Sequence, residues 1–125
     1  MKSQEFVQRL GTAQELMLKE DYPSALEILA ELKEIEKQGD FDYNLTHKLY
    51  QLDSNCKSLL NQQIILEHIF NASKDTKIIS IDDLGKIIKK KAKLNLESAI
   101  IKREIEILIL RGLLTAKIED NNLII

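Results

Sequence analysis

Cysteine occurs once, at Cys56, so no intramolecular disulfide can staple the chain and a reducing compartment is implied. Proline also occurs once, at Pro23, and tryptophan not at all. No apolar run approaches the ~20 residues of a membrane span. The longest, Ile105 to Leu110, is broken by Glu106 and bounded by Arg111. The opening MKSQEFVQRL lacks the apolar stretch of a signal peptide, so a cytosolic or nuclear setting is expected. There is no excess of basic charge either. The net charge is −2 and the pI near 5.7, which excludes a chain built throughout as a polycation for nucleic acid.

Motifs that carry chemistry are absent as well. The sequence holds no His-Glu-x-x-His, no CxxC pair, no glycine-rich phosphate loop and no nucleophile elbow. His47 and His68 stand 21 positions apart, read as a partly exposed helix residue and a satisfied core or boundary residue. Cys56 falls on an apolar stripe and reads as a small buried hydrophobe. These patterns predict a non-enzyme with no cofactor, no metal and no small-molecule substrate.

What remains is an ordinary globular composition, 44% hydrophobic and 30% charged over 125 residues. A chain of this length buries roughly two thirds of its unfolded surface and needs no staples. Charge is uneven along it. Residues 1–60 carry 7 Lys/Arg against 11 Asp/Glu, a net of −4, whereas residues 61–125 carry 11 against 9, a net of +2.

Apolar spacing predicts helices first. Phe6, Leu10, Ala13, Leu16 and Met17 form one stripe over 4–19, with Ser3 as the expected N-cap. Pro23 suits the first turn of a second helix over 23–38, carrying Ala25, Ile28, Leu29, Leu32 and Ile35. Gly39 is expected to end it in the left-handed conformation. A third stripe runs Leu45, Leu49, Leu52, Cys56, Leu59 and Leu60. Asn61 either caps a further helix over 62–71 or lies inside a continuous one. The cluster Ile64, Ile65, Leu66, Ile69 and Phe70 is dense enough to join the two halves of the chain.

After the polar string NASKDTK, a distinct module follows. Ile78-Ile79 is a short strand, and Ser80 is the N-cap of a helix with Asp82 and Asp83 in its first turn. Leu84, Ile87, Ile88 and Ala92 face inward there, with Lys86, Lys89, Lys90 and Lys91 outside. Asn95 is expected to cap a helix over 96–111 with Ile101, Ile105, Leu108 and Ile109 on one face, and Gly112 to end it. Lys102, Arg103 and Arg111 are read as exposed beside Glu97, Glu104 and Glu106. Leu114–Ile118 and Leu123–Ile125 then read as a hairpin around EDNN. Strand, helix, helix, hairpin is the outline of a winged helix. The predicted fold is mainly α: a helical-repeat-like bundle over 1–73 and a winged-helix module over 74–125.

Two resemblances sharpen this. The run from Glu20 through Glu27, with Leu29, Leu32 and the small Ala13, resembles part of a tetratricopeptide repeat, seen once over about 30 residues. The segment from Ile79-Ser80 through Leu84, Glu104, Glu106, Arg111-Gly112-Leu113-Leu114 and Ala116-Lys117-Ile118-Glu119 resembles the C-terminal half of a PCI domain. That family occurs in subunits of the proteasome lid, the signalosome and translation initiation factor three. The resemblance implies a scaffold subunit of a multiprotein complex, paired with PCI-type or helical-repeat subunits through its winged-helix edge. Leu114, Ile118, Leu123, Ile124 and Ile125 are the candidate contact residues, since three apolar residues in a row fit either a terminal strand open to a partner or one covered on both faces by this chain's own helices. The alternative is a nucleic-acid-binding winged helix. Lys86, Lys89, Lys90, Lys91, Lys93, Lys102 and Arg103 are its candidate contacts to nucleic acid or an acidic partner.

Overall fold

The computed structural model describes residues 1–125 as five helices and one small antiparallel sheet. In order these are α1 (Ser3–Leu18), α2 (Tyr22–Gln38), α3 (Tyr43–Ala72), β1 (Ile78–Ser80), α4 (Ile81–Ala92), α5 (Ser98–Leu110), β2 (Lys117–Glu119) and β3 (Asn122–Ile124). The chain divides into two compact units, 1–60 and 61–125. The border falls within α3 and not at 73/74 as the sequence suggests. Ile65 and Ile69 explain the difference: they belong to the core of the second unit, while Leu49 and Cys56 belong to that of the first.

In the first unit α1 packs on α2, and Phe6, Leu10, Ala13, Ala25, Leu29, Leu32, Leu49 and Cys56 are buried together. The turn between α1 and α2 is a Schellman arrangement. Glu20 N–H donates to Met17 O at 3.0 Å and Asp21 N–H to Leu16 O at 2.9 Å, satisfying carbonyls the helix end would otherwise leave open. The motif needs a left-handed residue, and Glu20 supplies it at φ 62°. Asp21 then caps α2, its carboxylate accepting from Ser24 N–H at 3.3 Å, and Pro23 sits in the first turn.

Two terminus assignments differ from the sequence reading. Ser3 is the first helical residue and Lys2 the N-cap, with no side-chain cap bond. Gly39 is extended, at φ −114° and ψ 176°, so it is not a left-handed terminator. Its lack of a side chain serves space: a Cβ there would run into the Phe41 ring, which packs on Phe6 at 4.6 Å between centroids. α3 continues unbroken past Asn61. Neither glycine nor proline occurs between Gly39 and Gly85, so nothing in the backbone chemistry stops it.

In the second unit Ile65, Ile69, Ile79, Ile81, Leu84, Ile88, Ile101, Ile105, Leu108, Leu114 and Leu123 form the core. Ser80 caps α4 as expected, its hydroxyl accepting from Asp83 N–H at 3.0 Å. Gly85 lies against Ile101, which lets α4 and α5 approach closely. Asn95 does not cap α5. The helix starts later, with Glu97 in the cap position and no side-chain cap bond. Gly112, at φ 75°, closes α5 as expected, with Leu113 N–H donating to Leu108 O at 3.0 Å.

The sheet order is β1-β3-β2, antiparallel throughout. Ile79 and Ile118 both register with Leu123, and Glu119 pairs with Asn122 around the two-residue turn Asp120-Asn121. Asp120 has φ 55°. The strand before the turn covers only Lys117–Glu119; Leu114 to Ala116 is not strand.

Candidate protein-interaction surface

The candidate contact residues of the terminal hairpin separate by burial. Leu114 and Leu123 are core residues of the second unit, and Ile118, Ile124 and Ile125 are half-buried against that core. β3 is the central strand, bonded on both sides by β1 and β2, so the terminal strand is not the open edge the sequence suggested. The open edges are the outer sides of β1 and β2.

Exposed apolar side chains lie elsewhere on the same unit, Phe70 on α3 and Ile78 on β1 among them. Leu110, at the last turn of α5, is 86% exposed, and Leu113 is 47% exposed. Beside them an open groove of about 370 Å³ is lined by Glu106, Ile109, Leu110, Ala116, Lys117 and Ile118. α5 provides one wall and the β2 segment the other. Large exposed leucines next to an apolar groove mark surface that an isolated chain gains by covering. The sequence reading missed Leu110 and Leu113 because a helix hydrophobic on two faces gives no sign of which face the chain itself covers. The signal that was available is width: Ile107, Leu108, Ile109 and Leu110 are consecutive apolar residues, more than one buried stripe can use.

The basic residues occupy a different part of this unit. Lys86, Lys89, Lys90, Lys91 and Lys93 are exposed on α4 and at its end, and Lys102 and Arg103 are exposed on α5. Glu104 corrects the charge reading of α5. It is fully buried, with Arg103 Nε 3.7 Å from its carboxylate, and is no part of the exposed face. Arg111 is tied inward by a 2.6 Å hydrogen bond from Nη1 to Gln62 Oε1. Lys102 and Arg103 then stand against Glu97 and Glu106, so the exposed charge around α5 stays balanced and the basic excess of this unit lies on α4.

Asp82 organises the same module. It accepts a hydrogen bond from the Ser98 hydroxyl and another from Asn121 Nδ2 at 3.0 Å, while Ile81 N–H donates to Asn121 O at 2.8 Å. One carboxylate thus holds the starts of α4 and α5 and the β2–β3 turn.

The remaining titratable groups of interest are structural. Cys56 is buried and donates to Tyr22 O at 3.6 Å, and burial, with the nearby Asp53 charge, pushes its thiol up. A raised thiol is a poor nucleophile at neutral pH. Burial also works to raise the Asp53 carboxyl, but hydrogen bonds from Lys57 at 2.9 Å and Lys33 at 3.1 Å prevail and hold it below its ordinary value. His68 is buried with Nδ1 2.9 Å from Ile64 O, and His47 is exposed and stacked on Tyr43. No three His, Cys, Asp or Glu side chains gather in a set that could hold a metal ion. No helix is long and apolar enough to cross a membrane.

Comparison with models of protein families, with curated proteins and with solved structures returns no match.

Proposed function

We propose that this chain is a non-catalytic scaffold subunit that joins other protein subunits in a multiprotein complex. Its second unit is read as a winged helix of the PCI type, and its first as a tetratricopeptide-like hairpin extended by α3. The order β1-α4-α5-β2-β3, with β3 between β1 and β2, supports the winged-helix reading. The observation that carries the functional reading is the exposed pair Leu110 and Leu113 beside the apolar groove between α5 and β2. Burying exposed apolar surface is the main driving force in most protein association.

Affinity capture from an extract of the source cells, with wild-type chain and the double variant L110D/L113D side by side, tests the reading. Stoichiometric partner subunits should be retained by wild type and lost from the variant, whose circular dichroism should be unchanged. Recovery of the wild-type chain alone would sink the scaffold reading.

A second reading is favoured by one observation, the exposure of Lys89, Lys90 and Lys91. On it, the lysine face of α4 contacts nucleic acid through phosphates, with an affinity that falls steeply with salt. Fluorescence anisotropy with duplex DNA and RNA at low salt tests it. Binding should disappear in K89E/K90E/K91E, and absence of any binding by wild type removes the reading.

A further inference from the structure

We propose that the β2 edge is a self-pairing site, and that two copies of this chain associate by antiparallel β2–β2 pairing centred on Ile118. This rests on the reading above only in taking the α5–β2 surface as one that is covered; it adds that the cover is a second copy.

β2 is an outer strand of the sheet, so one side of its backbone has no strand beside it. The register decides which groups face that side. Glu119 and Asn122 close a two-residue hairpin, so Glu119 exchanges backbone hydrogen bonds with β3. By alternation Lys117 does the same, and the N–H and C=O of Ile118 point to the open edge. A two-fold axis through Ile118 would let each copy donate its Ile118 N–H to the other's Ile118 carbonyl oxygen.

The side chains then fall into a self-complementary pattern. Antiparallel pairing about Ile118 places Lys117 of one copy opposite Glu119 of the other, twice. These flanking positions are the non-hydrogen-bonded kind, whose side chains come closest. Lys117 and Glu119 already share one face of β2, with 2.7 Å between Nζ and Oε1. The second copy would turn this single ion pair into a closed ring of four alternating charges. A surface that meets itself across a two-fold axis must be self-complementary, and the Lys-Ile-Glu strand is so in charge.

The opposite face adds the apolar part. Ile118 turns toward the core side, in register with Leu123, and borders the groove with Ile109, Leu110 and Ala116. The axis passes beside this groove. The grooves of two copies would therefore lie next to each other on the same face of a six-stranded sheet, with Leu110 of each sheltered between them.

Charge-exchange variants test this on the purified chain. Lys117 and Glu119 are exposed, so K117E and E119K should leave the circular dichroism unchanged. By sedimentation over about 1 µM to about 1 mM, the wild type should show a monomer–dimer equilibrium. K117E sets acid against acid and E119K sets base against base, so each alone should dimerise about tenfold more weakly or not at all. Mixed together, the two single variants should pair at wild-type strength, as should the double variant K117E/E119K with itself. Damage to folding would not be repaired by mixing. A wild-type chain that stays monomeric throughout, single variants that dimerise as well as wild type, or a mixture that does not pair would each overturn the proposal. Other subunits captured by a chain that is monomeric when pure would leave the scaffold reading standing and this inference refuted.

Discussion

Glu20 occupies a position that backbone sterics would assign to glycine. It is the left-handed residue of the α1 terminator, and a side chain in that conformation costs about 1–2 kcal/mol. Replacement by glycine removes that strain but returns about 0.5–1 kcal/mol to the unfolded chain as entropy. The relief of strain outweighs the entropy, so E20G should stabilise by about 0.5–1 kcal/mol, read as a higher urea midpoint with unchanged slope. A lower midpoint would mean that Glu20 makes a compensating contact. Asp53 gives a prediction in pH. Its carboxyl lies below the ordinary range in the folded chain, so the unfolded chain binds more protons as acid is added. Its contribution is complete above about pH 4 and is lost as pH falls through the folded value. Lys57 is half exposed and screened, so about 1 kcal/mol is expected. D53N should lower stability by that amount at pH 7, and the difference from wild type should shrink as pH falls below about 4.

At the scale of elements, the caps show what was legible and what was not. The stripes of α1, α2, α4 and α5 are written in apolar spacing, and the structure places a helix on each. Ser80 and Gly112 were legible because their roles need only their own chemistry and a neighbour three to five residues away. Asn95 misled for the opposite reason. Whether a cap side chain is used depends on where the helix start is held, and Asp82 holds it 16 positions back in sequence by binding the Ser98 hydroxyl. Such a contact has no local signature. Asn61 likewise had cap chemistry but no preceding terminator, so α3 ran through it. The long-range hold makes a prediction. D82A removes the acceptor for both Ser98 and Asn121 and a favourable charge at the start of α4, a loss of about 1–2 kcal/mol. D82N keeps one acceptor and should lose about half as much. Equal melting temperatures for D82A and wild type would show that the contacts contribute nothing.

At the scale of the whole molecule, burial separated what the sequence had joined. Leu114 and Leu123 looked like contact residues because terminal apolar runs give no hint of strand order; the order β1-β3-β2 puts Leu123 on the central strand. Strand order is a non-local property, and a single sequence carries no record of it. The two cores are separate as well, since no buried residue belongs to both. Leu32 is fully buried in one and Ile105 in the other. Truncating either to alanine should cost about 2–5 kcal/mol, because the void cannot collapse completely. The distribution of that cost is the informative part. Regions that share no core open as separate cooperative units, each with its own free energy. In native-state hydrogen exchange, L32A should speed exchange in α1, α2 and the first half of α3 while β1, α5 and β3 keep wild-type protection. I105A should do the reverse. The amides of α3 near residue 60 are the deciding probes, since the helix contributes Cys56 to one core and Ile65 to the other. If either substitution alone frees those amides and every other one to the same extent, the continuous helix makes the chain a single cooperative unit despite its two cores. If protection around residue 60 survives both single substitutions and is lost only in L32A/I105A, each core suffices to hold the shared helix.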